Sequence, residues 1–447
     1  MASSLSRIKL GLCRESLTGH GGMLLVGELW ERLGLSFLLD RHLPQPGSGR
    51  GFKPSQVVGS IVSLLFNNGE HLSDISHISS DSLLPMLNGV GKFPASNTLT
   101  EWLGRCERWV EHDCGGGLEN VVLQGLELVN RKLLGVLARH IKKSGLTLDI
   151  DATVIKTEKG TAKISYKGFP GYQPQLAYLP ELRAFAASEF RNGDVPSSKD
   201  VVPYLERCRA NMPEGTRIGT VRADAAYYQR DVLKWCIDNG SNFVIRAGRD
   251  LEVMRVIGEI PESAWERYFD SDGIEQPDAQ VASTSHSMEG VGWFRLVAVR
   301  RRWGRGEQLD LFGGKYSYWP IATNVSGSAQ DVIHFYNQRG RMEDGIGQLK
   351  QDFGLSAMPC SDMKANAVWT AIGILAFTIF ALFKSLVLGA DWVVRKAKRV
   401  RFHIFDIPGR LVRHAGELTL NLHCSKALFG LLREARRRCQ RLVFEFR

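Results

Sequence analysis

The stretch that most restricts this chain is "NAVWTAIGILAFTIFALFKSLVLG", Asn366–Gly389, which carries no charge from Val368 to Phe383. A segment this apolar belongs in a bilayer or in a protein core. A membrane span needs ~20 apolar residues, and the basic residues that follow would suit a cytoplasmic flank. However, a polar helical pattern directly precedes it, and the chain has no second segment of the kind. We read it as a buried core helix, with no membrane partner. At 447 residues, the chain is long enough for two or three domains around such a core.

The pattern before that helix changes twice. Residues 1–140 read as helical: "SQVVGSIVSLLFNN" has helical apolar spacing and stops at Gly69, and "NTLTEWLGRCERWV" follows Pro94. Short helices with tight turns suit a helical DNA-binding domain, or any small bundle. "GVGK" at Gly89–Lys92 is not a phosphate loop, because Met86 and Phe93 stand where Gly and Ser or Thr are needed. From Leu146, "LTLDIDATVI", "QPQLAYL", "LRAFAASEF", "RIGTVRADAAY" and "NFVIRAG" read as strands. "SKDVVPYLERCRANM" and "QRDVLKWCIDNG" read as helices between them, so a mixed α/β sheet is expected. Residues 249–317 read as a β-rich insertion with no convincing helix.

Charge is unevenly spread. Asp391–Arg447 holds fourteen Lys and Arg against five Asp and Glu, which is +9 of the chain's net +10. A basic C-terminal segment points to a polyanion, most often nucleic acid. The eight Cys are scattered with no CxxC pair, which disfavours a zinc site or a disulfide framework and suits a reducing compartment. "MASSLSRIKLGLCRES" has no apolar core of signal-peptide length.

Three acidic positions stand out. Asp149 and Asp151 lie two apart in one strand and share a face, while Leu148 and Ile150 take the other. Asp224 ends "GTVRAD", at the carboxyl end of a strand, where α/β proteins tend to build sites. The third acid lies in "YNQRGRMEDGIGQLKQDFG", Tyr336–Gly354. At about 100° per residue, Tyr336, Arg339, Glu343 and Lys350 fall on one narrow stripe. Met342, Ile346, Leu349 and Phe353 form an adjacent apolar stripe, and Arg341, Asp344 and Gln348 face away. Glu343 is therefore expected at the edge of the buried face, between two cations. Gly340, Gly345 and Gly347 each weaken this helix by roughly 1 kcal/mol, which a purely structural helix has no reason to carry.

Tyr336, Arg339, Glu343 and Lys350 together resemble the Tyr-Arg-Glu-Lys signature of DDE-type insertion-sequence transposases of the IS-four-like superfamily. "DIDAT" and "VRADAAY" resemble the blocks that bear the family's two Asp residues. "YKGFPGYQP", "ATNVSG" and the Tyr336–Gly354 stretch most resemble the thirteen-eighty group. The likeness runs in order from Leu146 to the C-terminus and more weakly through the N-terminal helices. It implies a ribonuclease-H-like catalytic core, 141–248 and 318–390, interrupted by the insertion 249–317. A helical DNA-binding domain, 1–140, would precede this core, and a basic helical C-terminal segment, 391–447, would follow it.

The resemblance also implies chemistry. Asp151, Asp224 and Glu343 would be catalytic and would hold two Mg²⁺ ions, with Mn²⁺ able to substitute. Asp149 is the alternative first acid, and spacing alone does not separate it from Asp151. Arg339, Lys350 and Tyr336 would contact DNA near the scissile bond. The family's Trp-bearing insertion matches Trp293, Trp303 or Trp319 only loosely. The expected partners are double-stranded DNA, as element ends and target, and a second copy in a synaptic homodimer. The expected location is the bacterial cytoplasm, at the nucleoid. A non-catalytic DNA-binding regulator and a metal-dependent nuclease are the alternatives.

Overall fold

A computed structural model describes residues 8–9, 11–13, 15–47, 49–106, 109–111, 118–302 and 315–443. Trp303, one of the three Trp candidates, lies outside them. The chain divides into two compact units. One comprises residues 1–40, 45–99 and 383–447, and the other 41–44 and 100–382.

The larger unit is built on a nine-stranded sheet. In chain order its strands are β1 (Gly145–Ala152), β2 (Gln175–Leu179), β3 (Ala184–Glu189), β4 (Arg217–Ala223) and β5 (Asn242–Arg246), followed by β6 (Glu266–Phe269), β7 (Glu275–Met288), β8 (Gly292–Arg302) and β9 (Tyr316–Thr323). The spatial order is β6-β7-β8-β9-β5-β4-β1-β2-β3. β1, β4 and β5 run parallel, and every other neighbouring pair is antiparallel. The stretch read as an insertion thus continues the same sheet through β9, which pairs with β5. It also contains a helix that apolar periodicity did not reveal, Leu251–Gly258, whose N-cap Asp250 accepts from Val253 N at 2.9 Å.

Successive strand residues point to opposite faces, so a strand buried at every position must be covered on both sides. β2 is buried at all five positions and β1 is buried from Leu146 to Ile150. Part of that cover comes from helices α1 (Val121–Ala138), α2 (Val201–Ala210) and α3 (Arg230–Asp238). Asn130 of α1 donates to the Phe185 carbonyl at 2.9 Å, and Arg207 of α2 forks onto Glu127 of α1 at 2.7 and 3.0 Å. Val121–Ala138 therefore packs with the sheet, although its sequence position groups it with the N-terminal helices.

Helices α4 (Ala329–Asn337), α5 (Gly340–Asp352) and α6 (Met363–Leu382) complete the unit. α4 lays Val332 and Ile333 on Val244, Val281, Val297 and Ile321 of the sheet. α6 is the apolar segment. With the turn that continues it to Leu388 it is long and apolar enough to cross a membrane, yet 83% of its most apolar window is buried inside the protein. Phe377 meets Phe185 and Phe353 edge to face, at ring separations of 5.1 and 5.2 Å. Gly373 lets the Phe353 carbonyl approach so closely that an added Cβ would stand 2.5 Å from its oxygen.

In the smaller unit, helix Lys426–Arg441 packs on Leu24–Arg32, with Arg436 2.6 Å from Glu28. Helix Pro54–Phe66 is buried at every position except Gln56. Arg401 donates to the carbonyls of Leu65 and Phe66, both at 2.9 Å, and so satisfies the open end of that helix. The C-terminal segment departs from the helical expectation. Gly409–His414 and Glu417–Leu422 form a hairpin joined by Leu17–Thr18. Its two-residue turn has φ of 49° at Ala415 and 85° at Gly416, the left-handed pair that suits a tight hairpin.

Gly373→Ala should lower stability by about 1–3 kcal/mol, because the new methyl meets backbone that cannot swing aside. Urea midpoints of the two proteins measure the difference.

Candidate active site

Strand register brings the acidic residues together. In the parallel pair β1/β4, Asp149 stands opposite Arg222 and Ile150 opposite Ala223. One step further along both strands, Asp224 comes beside Asp151. Side chains two apart share a face, so the Asp-x-Asp of β1 meets the Arg-x-Asp of β4. One pairing is of opposite charges and the next is of like charges.

Arg222 forks onto Asp149, with Nε 2.5 Å from Oδ1 and Nη2 2.7 Å from Oδ2, and both side chains are essentially inaccessible. Burial pushes the Asp149 carboxyl up from its ordinary range, against the pull of Arg222. The remaining nitrogen, Nη1, donates to the backbone carbonyl of Phe335, and the guanidinium lies 4.9 Å from the Phe335 ring. That carbonyl is the one an α-helix would offer to the N–H of Arg339. Arg339 N turns to Tyr336 O instead, at 2.9 Å, and Met342 N bonds Arg339 O at 2.9 Å. The helix therefore tightens and breaks at Gln338–Arg339, between α4 and α5.

The break corrects the single-helix phase. Met342, Ile346, Leu349 and Phe353 are buried, as their spacing predicts. Glu343, expected at the edge of the buried face, is instead 66% exposed. The buried member of the group is Arg339, whose side chain is 11% exposed. Its Nη2 lies 2.7 Å from Asp151 Oδ2, and its Nη1 donates to Glu343 Oε1 at 3.2 Å. Asp224 sits at the end of β4 and caps the turn Ala225–Tyr227, accepting from Ala226 N at 3.0 Å.

All three acids act on this one guanidinium. Burial pulls the Arg339 pKa down, but Asp151, Tyr336, Asp224 and Glu343 outweigh it and hold the group above its ordinary range. Asp151 is pushed up by burial and by Asp224, with Arg339 opposing. Three buried polar atoms here, Arg339 Nε and Nη2 and the Tyr227 hydroxyl, have no hydrogen-bond partner among the described residues, Nη2 meeting Asp151 as an ion pair. Lys350 is half-buried, and its Nζ donates to Val154 O at 3.2 Å, just past Asp151. Burial and then Lys167 lower its pKa, while Asp151 opposes them. Tyr336 lines a cavity of about 220 Å³ with Arg246, Tyr268, Arg301 and Trp319, and burial raises the pKa of its hydroxyl. Trp293 is 79% exposed.

The site thus gathers Asp151, Asp224, Glu343, Arg339, Tyr336 and Lys350, while Asp149 is engaged behind it. Among the described residues no three His, Cys, Asp or Glu side chains lie close enough to hold a metal ion. The sequence reading missed Arg222. Its signal was the two-residue spacing in "VRAD", which repeats that of "DID" on the neighbouring parallel strand.

Removing one partner of the Asp149–Arg222 pair leaves a buried charge alone. Arg222→Met should cost about 3–5 kcal/mol, whereas Arg341→Met, at an exposed position, should cost little. Thermal and urea denaturation measure both.

No curated protein matches the chain. A solved synaptic complex of piggyBac transposase with hairpin DNA is similar at 11% identity and a TM-score of 0.42, over 95% of this chain and 85% of that one. The family model for the transposase DDE domain, group 1, matches residues 4–444. The chain therefore belongs to the DDE transposase family.

Proposed function

We propose that the protein cuts the inverted-repeat ends of an insertion sequence and joins them to target DNA, with Asp151, Asp224 and Glu343 as its catalytic acids. The observation that carries this reading is that Asp151 and Glu343 both pair with Arg339, while the β1/β4 register sets Asp224 beside Asp151. Acids gathered this way require a positive partner, and their oxygens fit a hard divalent cation in kind. Although the three carboxylates do not stand close enough to hold an ion as they are placed here, Asp151, Asp224 and Glu343 would hold two Mg²⁺ ions, for which Mn²⁺ could substitute. Once bound, these ions would stabilise the attacking and leaving oxygens of an in-line displacement at phosphorus. Asp149 is the weaker candidate for first acid, because both its oxygens are engaged by Arg222.

The side chains around the acids suit a DNA strand. Arg339 Nε is unpartnered and can donate to a phosphate oxygen. Lys350 offers a point charge just past Asp151, and Tyr336, half-buried, stands one helical turn before Arg339. In the reaction, water frees a 3′-hydroxyl at the element's end, and that hydroxyl then attacks the target strand. Neither step needs a nucleotide cofactor.

Strand order and acid placement support a ribonuclease-H-like core. The first acid lies on β1, the second after β4, and the third on a helix beyond the β-rich stretch. Tyr336, Arg339, Glu343 and Lys350 support assignment to the IS-four-like superfamily and its thirteen-eighty group. Element ends, target DNA and a second copy are the partners of such a reaction, at the bacterial nucleoid in the cytoplasm. The exposed arginines of the C-terminal helix, Arg433, Arg437 and Arg441, would add sequence-independent phosphate contacts.

Asp224→Ala and Glu343→Gln should each abolish Mg²⁺-dependent cleavage of DNA that carries the sequences flanking the reading frame, while leaving binding largely intact. Wild-type cleavage by either variant would overturn the assignment. Strand-joined product from the wild type separates a transposase from a nuclease. Lys350→Ala should weaken binding and reduce its salt slope by about 1, measured by fluorescence anisotropy across salt concentrations.

A further inference from the structure

The block "YKGFPGYQP" contributed to the family resemblance but has no role in the site described so far. It belongs to a small three-stranded sheet, separate from the main one, in which Ile155–Lys156 and Lys163–Ile164 both pair with Pro170–Tyr172. This ribbon begins at Ile155, four residues after Asp151 and three after β1 ends at Ala152. Thr153–Phe169 carries Lys156, Lys159, Lys163 and Lys167 against one acid, Glu158.

The ribbon is firmly built. Gly168 takes φ 81°, and Ser165, itself buried, bonds Phe169 O at 2.9 Å through both N and Oγ. Asn192 ties the strands from beside, accepting from Lys163 N at 2.8 Å and donating to Thr161 O at 2.9 Å. At Gly193 an added Cβ would stand 2.5 Å from Gly171 O and 2.7 Å from Lys163 O. Thr161 and the buried Tyr172 share a hydrogen bond at 2.6 Å.

What this frame holds out is unusual for a solvated turn. Tyr166 is 76% exposed and Ile164 60% exposed. Lys167 Nζ lies 5.8 Å from the Tyr166 ring centre, and Lys156 Nζ lies 5.9 Å from that of Phe169. Lys350 Nζ donates to Val154 O at 3.2 Å, just ahead of the ribbon's first strand, and Lys167 acts on that same cation. Exposed cations and an aromatic ring thus stand on a ribbon that follows directly on the strand bearing Asp151 and that Lys350 ties at Val154. Positive charge interleaved with aromatic faces is the chemistry that holds a nucleic-acid strand: the cations take the phosphates and the ring stacks on a base.

We infer that the Ile155–Tyr172 ribbon grips the DNA strand leading into the acidic site, Lys156 and Lys167 on its phosphates and Tyr166 on an unpaired base. The inference rests on the transposase reading above and adds to it a second contact surface on that strand. Lys163 contributes less, because it is paired with Asp194 at 3.0 Å.

Two variants separate the parts. Lys156→Gln with Lys167→Gln should lower the salt slope of binding to a mixed-sequence duplex by about 1 to 2. Tyr166→Ala should leave that slope unchanged but weaken binding to a single-stranded oligonucleotide about fivefold or more. All three side chains are exposed, and unchanged melting temperatures verify the fold. If the wild type cleaves flanking DNA but these variants match its slope and affinity, the ribbon inference fails while the transposase reading stands. If the wild type binds neither probe, both fail.

Discussion

The buried pair Asp149–Arg222 sets the geometry on which the rest of the site depends. Its three contacts serve two structures at once. Two fasten β1 to β4 in a register that leaves Asp151 and Asp224 side by side. The third takes the Phe335 carbonyl out of the helical ladder. The loss of that acceptor breaks the helix, and the break turns Arg339 inward to Asp151 while Glu343 stays outside. A hydrophobic isostere could fill the same volume with no desolvation cost, but it could not withdraw a backbone acceptor. Here the buried ion pair contributes position more than stability.

The same register creates the charge problem that the site exploits. Burial pushes the Asp151 carboxyl up, and Asp224 at the neighbouring strand end adds to the effect. Arg339 offsets part of this, since it has Asp151 within 2.7 Å and Glu343 within 3.2 Å. The guanidinium does not saturate the site, because its Nε still lacks an acceptor. The arrangement holds more negative charge than one side chain neutralises and keeps one donor in reserve. On the reading proposed above, that imbalance suits a site that takes both a cation and a phosphate.

The parts legible in the sequence were those governed by local periodicity. Alternation gave β1 to β5, the apolar run gave α6, and the stripe Met342–Phe353 gave the buried face of α5. Asp149 and Asp151 could not be separated, because the difference between them is a cross-strand register that no local pattern encodes. Glu343 was placed too deep because one helical phase was carried through Gln338–Arg339, where a side chain 113 residues away in sequence interrupts the ladder. The hairpin at Gly409–Leu422 did have a local signal, the His414–Glu417 turn, which the weight of basic residues obscured. The helical spacing of Pro54–Phe66 marked a helix correctly but gave no sign that it is buried at every position but Gln56.

The glycines of α5 show how closely function and packing are joined. Gly340 and Gly347 have open space where a side chain would be, so sterics do not demand them. Gly345 differs: an added Cβ would stand 3.2 Å from the Tyr178 ring and 3.5 Å from Phe185. Tyr178 lies on β2 opposite Asp149 of β1, so this contact sets how near α5 comes to the strand that carries Asp151. A larger residue would press the helix away from the sheet, and the 2.7 Å approach of Arg339 to Asp151 has little slack. The roughly 1 kcal/mol of helix propensity given up at Gly345 is therefore best understood as the condition for a short distance between helix and strand. The acids can converge only if that distance holds.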